Sequence, residues 1–337
     1  MRVAVTVAPG ETRIEERPDP VPAPDEVVCR MLACATCGSD VHGSYVTRKL
    51  PAVLGHEPVG EVVEVGSLVT GVAPGDRVVI HHHVPCGECR RCRHGHETLC
   101  DRFRSTALDP GGFSEYVRVE AALVPELLPL DGLDPVAATV TEPLACALRA
   151  QARAEVRPGD SLLVVGAGCS GLLHIAAAHA RGVDAVWVRE PDPVRLSRAE
   201  AWGATAHGNE PVDAAVVCTD RPEAIAGAAD ALAPGGRLCL YAPGEPGRPL
   251  LIDGWTVFSR ELGVTASWSA GPVEWREALR LLQRGAVRTA ELITHRFTLE
   301  QTNAALEAQR SGAALKAVVE PWRPRRAAAP GTSARPD

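Results

Sequence analysis

Three short strings carry residues able to hold a divalent metal. Cys37-Gly38-Ser39-Asp40-Val41-His42 supplies a thiolate, Gly55-His56-Glu57 an imidazole and a carboxylate, and Thr141-Glu142-Pro143 a second carboxylate. A catalytic zinc keeps about three protein ligands and one exchangeable position. Cys37, His56 and Glu142 fill the three, and Glu57 is left as a fourth, displaceable ligand or as a group supporting them. Such an ion acts as a Lewis acid on an oxygen-bearing substrate. Taken singly, each residue has a blander account, such as a small buried thiol, a turn histidine or a carboxylate at a helix start. Together and in this order they favour a metal.

A second constellation is tighter. Cys86, Cys89, Cys92 and Cys100 follow the pattern C-x2-C-x2-C-x7-C, which lets four thiolates converge on one ion from a loop with little core of its own. A closed four-sulfur shell leaves no position for substrate, so a zinc in the 86–100 lobe is structural, with an iron–sulfur cluster as the rival reading. Cys29, Cys34, Cys146, Cys169, Cys218 and Cys239 lie mostly among apolar or small residues and read as small hydrophobes. An odd cysteine count with tight local clustering favours metal binding over disulfides.

A third constellation suits a phosphate-rich cofactor. The apolar run Ser161 to Val165 leads into Gly166-Ala-Gly168-Cys-Ser-Gly171 and then an Ala-rich segment with helical character. In that strand–turn–helix context Gly166 permits the tight turn, Gly168 the approach of a pyrophosphate, and Gly171 close packing, while the helix N-terminus offers free N–H donors. Glu190, at the end of the next strand, is placed to bond the ribose hydroxyls of NAD. Arg189 and Arg195 flank it and are the groups that would instead receive the 2′-phosphate of NADP.

CGSDVH, GHE, the four-cysteine lobe and EPLA, in that order, resemble the zinc-containing medium-chain dehydrogenases, and the resemblance runs to about residue 320. Glu142 stands where other alcohol dehydrogenases place a second cysteine, which is similar to the sorbitol and threonine dehydrogenase branch. The resemblance implies an α/β protein with a GroES-like, mostly β catalytic domain and a Rossmann domain, two zinc ions per chain, NAD, and a homodimer or homotetramer. It also implies a proton relay from Ser39 through His42, beside Glu57. The expected activity is hydride transfer between NAD and a secondary alcohol: a polyol, an amino alcohol, or a cyclitol or aminocyclitol. The alternatives are an NADPH-dependent carbonyl reductase of biosynthetic metabolism and, less favoured, a non-catalytic nucleotide-binding protein.

The elements that must position these residues fall into two rhythms. Up to about residue 145, short strands alternate with Pro and Gly turns: Arg2 to Val7, Glu26 to Ala33, Val59 to Val65, Asp76 to Ile80 and Phe113 to Val119. Beyond residue 150, strands and helices alternate, which predicts a parallel sheet covered on both faces. The expected strands there are Ser161 to Val165, Ala185 to Arg189, Ala214 to Cys218, Arg237 to Tyr241 and Gly263 to Ser267. Helices are expected to Arg181, through Ala201, through Leu232, over Pro272 to Arg284 and from Leu299 to about Gln309. The expected division is 1–146 catalytic, 147–284 dinucleotide-binding, 285–320 returning to the catalytic domain through a strand from Leu315 to Val319, and 321–337 a disordered tail. His81-His82-His83 follows a β run, so alternation would send neighbouring side chains to opposite faces, in packing or solvated roles.

Composition sets the outer limits. At 337 residues with 45% hydrophobic content the chain can build two cores. A net charge of −7 offers no basic field for nucleic acid or anionic lipid, which leaves a small alcohol or carbonyl compound as the expected partner. MRVAVTVAPG lacks a signal peptide's long apolar run and no segment reaches membrane-spanning length, so a cytoplasmic location is expected.

Overall fold

The computed structural model describes residues 1–323. Two sheets dominate it. The first is a six-stranded, all-parallel sheet in the spatial order Thr205–Ala206, Ala185–Arg189, Ser161–Val165, Val212–Val217, Leu232–Leu240, Gly263–Ala266. Its central strands read SLLVV and VDAAVV and are buried almost throughout, as expected of strands covered on both faces. Strand order reverses beside Ser161–Val165, and that switch point is where doubly wound sheets open a ligand crevice.

The second sheet has eight strands and is mostly antiparallel, with Val27–Ala35 against Glu57–Val65, Tyr116–Val119 and Lys316–Val319. The last of these brings the end of the chain back to the N-terminal half. Its parallel neighbour Ile293–Phe297 and the strand Glu11–Glu16 have no counterpart in the sequence reading. Both are half-exposed and rich in polar residues, so they carry little apolar signal.

Between the sheets lies the Thr141–Arg153 helix, buried along most of its length. It packs on the helices Cys169–Ala180 and Pro272–Gln283 and shares one core with Val59 and Val79 of the antiparallel sheet. Two expected helix ends are corrected. The helix expected through Leu232 stops at Asp230, and Leu232 already opens a strand. The helix expected from Leu299 begins as a 3-10 turn, becomes α-helical over Thr302–Ser311 and ends on Gly312 in the left-handed conformation that glycine adopts at little cost.

The expected tail is also shortened. Trp322 stands edge-on to Tyr116 with ring centroids 5.7 Å apart and lies under the Arg30 guanidinium at 5.9 Å. Residues 324–337 lie outside the described residues. Among the described residues no helix is long and apolar enough to cross a membrane.

Candidate active site

Cys37 lies just past the end of the central antiparallel strand and caps the 3-10 turn Gly38–Asp40. That turn folds the Asp40 carboxylate back to accept the Cys37 N–H at 2.9 Å and sets its other oxygen 3.3 Å from His56 Nδ1. With Nδ1 engaged, His56 presents Nε2 to the interior, 3.5 Å from Ser39 Oγ. Gly55 has φ +95° and no room for a Cβ, which would meet Phe113 N at 2.8 Å, so the turn that aims His56 requires glycine here. Burial opposes ionisation of Asp40, yet His56 and the Cys37 N–H hold its carboxyl below the usual range. Burial equally opposes charge on His56, but Asp40 and Cys37 outweigh it and push the imidazole well above its ordinary value. The surroundings are those of a cation site.

Cys37, His56 and Glu57 each offer a ligand atom, and these atoms lie within 4.8 Å of one another. The donor set of one thiolate, one imidazole and one carboxylate fits zinc with a position to spare. The structure brings together some of the expected residues and leaves one apart. Glu57, expected as the fourth or supporting group, is in the cluster; Glu142, expected as a primary ligand, is not. Glu142 sits in the first turn of the Thr141–Arg153 helix, where its Oε1 accepts the thiol of Cys146, one turn on, at 3.3 Å. Glu57 opens its strand fully buried and is met by Lys316, whose Nζ lies 2.6 and 2.7 Å from the two carboxylate oxygens and 2.9 Å from the Thr36 carbonyl. Burial disfavours the ammonium, but Glu57 holds Lys316 above the usual lysine range.

Asp40 and Lys316 are the functional neighbours that sequence reasoning missed. A metal-binding histidine needs an acceptor on its second nitrogen, which singles out the carboxylate inside CGSD. Lysine in so arginine-rich a chain, where Lys49 is its one companion, is the signal for the other.

Ser39 and His42 are not bonded to each other. Ser39 faces His56, whereas His42 Nε2 lies 3.8 Å from Glu245 and its buried Nδ1 has no partner. The histidine triple departs from strict alternation because the strand Arg77–Val79 ends before it. His81 and His82 stack with ring centroids 5.8 Å apart, and His82 stands 5.2 Å from the His56 ring.

In the lobe, Sγ–Sγ distances of 3.5 Å (Cys89–Cys92 and Cys86–Cys100) and 3.9 Å (Cys86–Cys92) approach the edge of about 3.8 Å expected for a tetrahedron of zinc–sulfur bonds. Cys86, Cys89, Cys92 and Cys100 form one ligand group.

The glycine turn is shaped for a cofactor. Gly166 has φ +97°, a Cβ on Gly171 would fall 1.9 Å from the Gly166 carbonyl, and a Cβ on Gly168 would enter open space at the N-terminus of the Cys169–Ala180 helix. Glu190 Oε2 accepts the Ala167 N–H of this turn at 2.7 Å, which pins the carboxylate at the cradle's edge. Arg189 turns away and donates to the Gly227 carbonyl at 2.8 Å, with His207 Nδ1 at 3.0 Å, so it is not free for a phosphate. Arg195 is exposed, and its guanidinium lies against Gly312.

Comparison with known proteins follows the same lines. The family "Alcohol dehydrogenase GroES-like domain" matches residues 23–129. Sorbitol dehydrogenase of Bacillus subtilis is 31% identical over 351 residues, covering 96% of this chain and 98% of that protein. L-threonine 3-dehydrogenase of Pyrococcus horikoshii is 32% identical over 332 residues, with 89% and 92% covered. Among solved structures, a zinc-binding dehydrogenase from Sinorhizobium meliloti 1021 bound to NADP superposes with a TM-score of 0.85 at 27% identity, covering 95% of this chain and 99% of that one. A protein described as a short chain alcohol dehydrogenase, from Escherichia coli CFT073 and complexed with NADH, gives 0.84 at 25% identity, with the same coverage. The chain belongs to the zinc-type medium-chain dehydrogenases, in the branch of the sorbitol and threonine dehydrogenases.

Proposed function

We propose that this enzyme oxidises a secondary alcohol, foremost a polyol, with NAD. The observation that carries this reading is the cluster of Cys37, His56 and Glu57, supported by Asp40, in the same molecule as a glycine turn with open space at Gly168. Cys37, His56 and Glu57 would hold the catalytic zinc, with Glu142 outside the set, and Cys86, Cys89, Cys92 and Cys100 the structural one. When bound, the zinc supplies Lewis acidity toward the substrate hydroxyl and the nicotinamide accepts the hydride. Asp40 fixes the ring of His56 so that Nε2 faces the ion's position. Ser39 Oγ is the first acceptor for the hydroxyl proton, and His42, whose Nε2 faces Glu245, is the exit toward solvent.

Glu190 at the rim of the Gly166, Gly168 and Gly171 turn favours NAD, because its carboxylate would repel a 2′-phosphate. Arg189 is already engaged, so Arg195 is left as the basic residue nearest to that role. The S. meliloti relative bound to NADP makes the cofactor comparison part of the test.

For assembly, the exposed edge strand Gly263–Ala266 and the exposed Val264, Trp255 and Phe258 support pairing with a second copy in a homodimer or a homotetramer built from it. The free thiols suit a reducing cytoplasm.

The deciding experiment is a panel of sorbitol-like polyols, threonine-like amino alcohols, cyclitols and aminocyclitols, followed at nicotinamide absorbance with NAD and NADP, with metal analysis of the same sample. Two zinc ions per chain and NAD-dependent oxidation of a polyol are expected. A zinc-loaded protein that oxidises none of the panel would defeat the reading.

A further inference from the structure

The helix Thr141–Arg153 carries more than Glu142. Glu142, Cys146, Arg149 and Arg153 fall at i, i+4, i+7 and i+11 and so share one face. At its start, the Cys146 thiol donates to Glu142 Oε1 at 3.3 Å. Burial pushes that thiol well above its ordinary value, Glu142 raises it further, and Cys37 is near enough to add to the rise, so this end of the face adjoins the metal-competent cluster. Two turns on, Arg149 has a side chain only 7% exposed, and its partners come from elsewhere in the chain. Nη1 donates to Glu97 Oε2 at 3.2 Å and lies 3.6 Å from Glu274 Oε1, while Nη2 donates to the Gly95 carbonyl at 3.2 Å. Arg153 Nη1 follows, 3.4 Å from His96 Nδ1. Gly95, His96 and Glu97 lie between Cys92 and Cys100, so the stretch that closes the four-sulfur group is also the stretch that rests on the helix. A buried guanidinium is costly without its acceptors. Of the partners of Arg149 among the described residues, Glu274 alone would stay if the lobe opened.

We infer that Arg149 is a positioning residue that locks the four-cysteine lobe onto the helix of Glu142, so that opening of the lobe is felt at the active site and loss of Arg149 loosens the lobe. The inference rests on the reading of the lobe as a zinc site and gives that site a task beyond holding its own loop. Bonds that exist only while the lobe is closed favour closure, and the sulfurs hold an ion only while the lobe is closed. The coupling is reciprocal. A closed lobe in turn fixes the helix face on which Glu142 and Cys146 stand.

The test reads the lobe and the helix separately. Zinc-loaded protein is digested with trypsin in the presence of EDTA, and cleavage after Arg90, Arg91 and Arg93 is timed by mass spectrometry in wild type, Arg149→Met, Arg149→Lys and Glu97→Ala. Arg181→Met is the control. Arg181 also joins this helix to Pro272–Gln283, through the Leu148 carbonyl at 2.8 Å and the Glu277 carboxylate at 2.7 and 2.9 Å, but these partners lie outside the lobe. Cleavage should quicken about ten-fold in Arg149→Met, the scale of one charge-assisted hydrogen bond, with Arg149→Lys between it and wild type. Glu97→Ala, which removes the acceptor from the lobe's side, should quicken it as well, and Arg181→Met should match wild type. In the other direction, hydrogen exchange of amides 141–153 should be faster in Cys89→Ser than in wild type, and kcat should fall while the catalytic ion is retained. Cleavage no faster in Arg149→Met and Glu97→Ala than in wild type would overturn the inference, as would equal quickening in Arg181→Met or unchanged exchange over 141–153 in Cys89→Ser. A wild-type lobe equally resistant to trypsin with and without EDTA would overturn the zinc reading of the lobe, and the inference with it.

Discussion

Lys316 and Glu57, 259 residues apart in the chain, form a fully buried ion pair with Nζ 2.6 and 2.7 Å from the two carboxylate oxygens. The pair joins the returning strand Lys316–Val319 to the first residue of Glu57–Val65, and Glu57 is also part of the metal-competent cluster. Removing one partner of a buried pair costs more than removing both, because a naked charge is left behind. Lys316→Met should therefore lower the stability of chelator-treated protein by about 3–5 kcal/mol, and the double variant with Glu57→Gln should recover most of that loss. Urea unfolding of the three proteins measures it; equal stability of single variant and wild type would mean that the pair contributes nothing.

Cys37→Ser should cost one zinc ion per chain and nearly all activity. Ser39→Ala should keep both ions and lower kcat by about 100-fold, the scale of a lost proton-transfer group. Metal analysis beside steady-state rates separates the two, and full activity in either variant would count against its assigned role.

In the lobe, Arg90, Arg91 and Arg93 are exposed on a loop whose compactness depends on four sulfurs. Cys89→Ser should lose the second zinc and open these sites to trypsin, leaving the catalytic ion in place. Mass spectrometry of a timed digest reads the result; a variant as trypsin-resistant as wild type would show that the lobe holds itself together without the ion.

The second and third glycines of the turn should fail differently. A Cβ at Gly171 falls 1.9 Å from the Gly166 carbonyl, so Gly171→Ala should lower Tm and NAD affinity together. Gly168→Ala meets no protein atom within 4 Å and should keep Tm while weakening NAD binding by about ten-fold or more, since the methyl group fills the phosphate's approach. Calorimetric Kd values and melting curves of both variants decide this.

Burial pushes His174 down to about 3, so it is neutral in the folded protein and protonates near 6.5 in the unfolded chain. Its contribution is fully present above pH 6.5 and is lost as pH falls toward 3, at about 1.4 kcal/mol per pH unit. From pH 7 to pH 5, wild type should thus lose about 2 kcal/mol more than His174→Phe. Urea unfolding at the two pH values checks the difference. His81, likewise pushed down to about 3 by burial, should behave in the same way.

Much of this architecture was legible from residue types. The strands Ser161–Val165 and Ala185–Arg189 match the sequence reading residue for residue, because buried parallel strands are short apolar runs between turn signals. The four-cysteine lobe was legible because its ligands are local. What escaped the reading depends on distant partners. Nothing near Glu57 announces Lys316, and nothing in TEPLAC shows that Cys146 would occupy the Glu142 carboxylate one helical turn away. His82 was assigned to a strand's alternation, yet the strand had already ended at Val79.

The returning strand also bears on synthesis. A ribosome releases Glu57 long before Lys316, so the N-terminal half emerges with a carboxylate destined for the interior and no cation to meet it. Chain termination between residues 100 and 316 therefore leaves a protein that retains the metal-gathering motifs but not the counterion that lets one of them be buried, and such fragments should be substrates for cellular proteolysis and not partial enzymes.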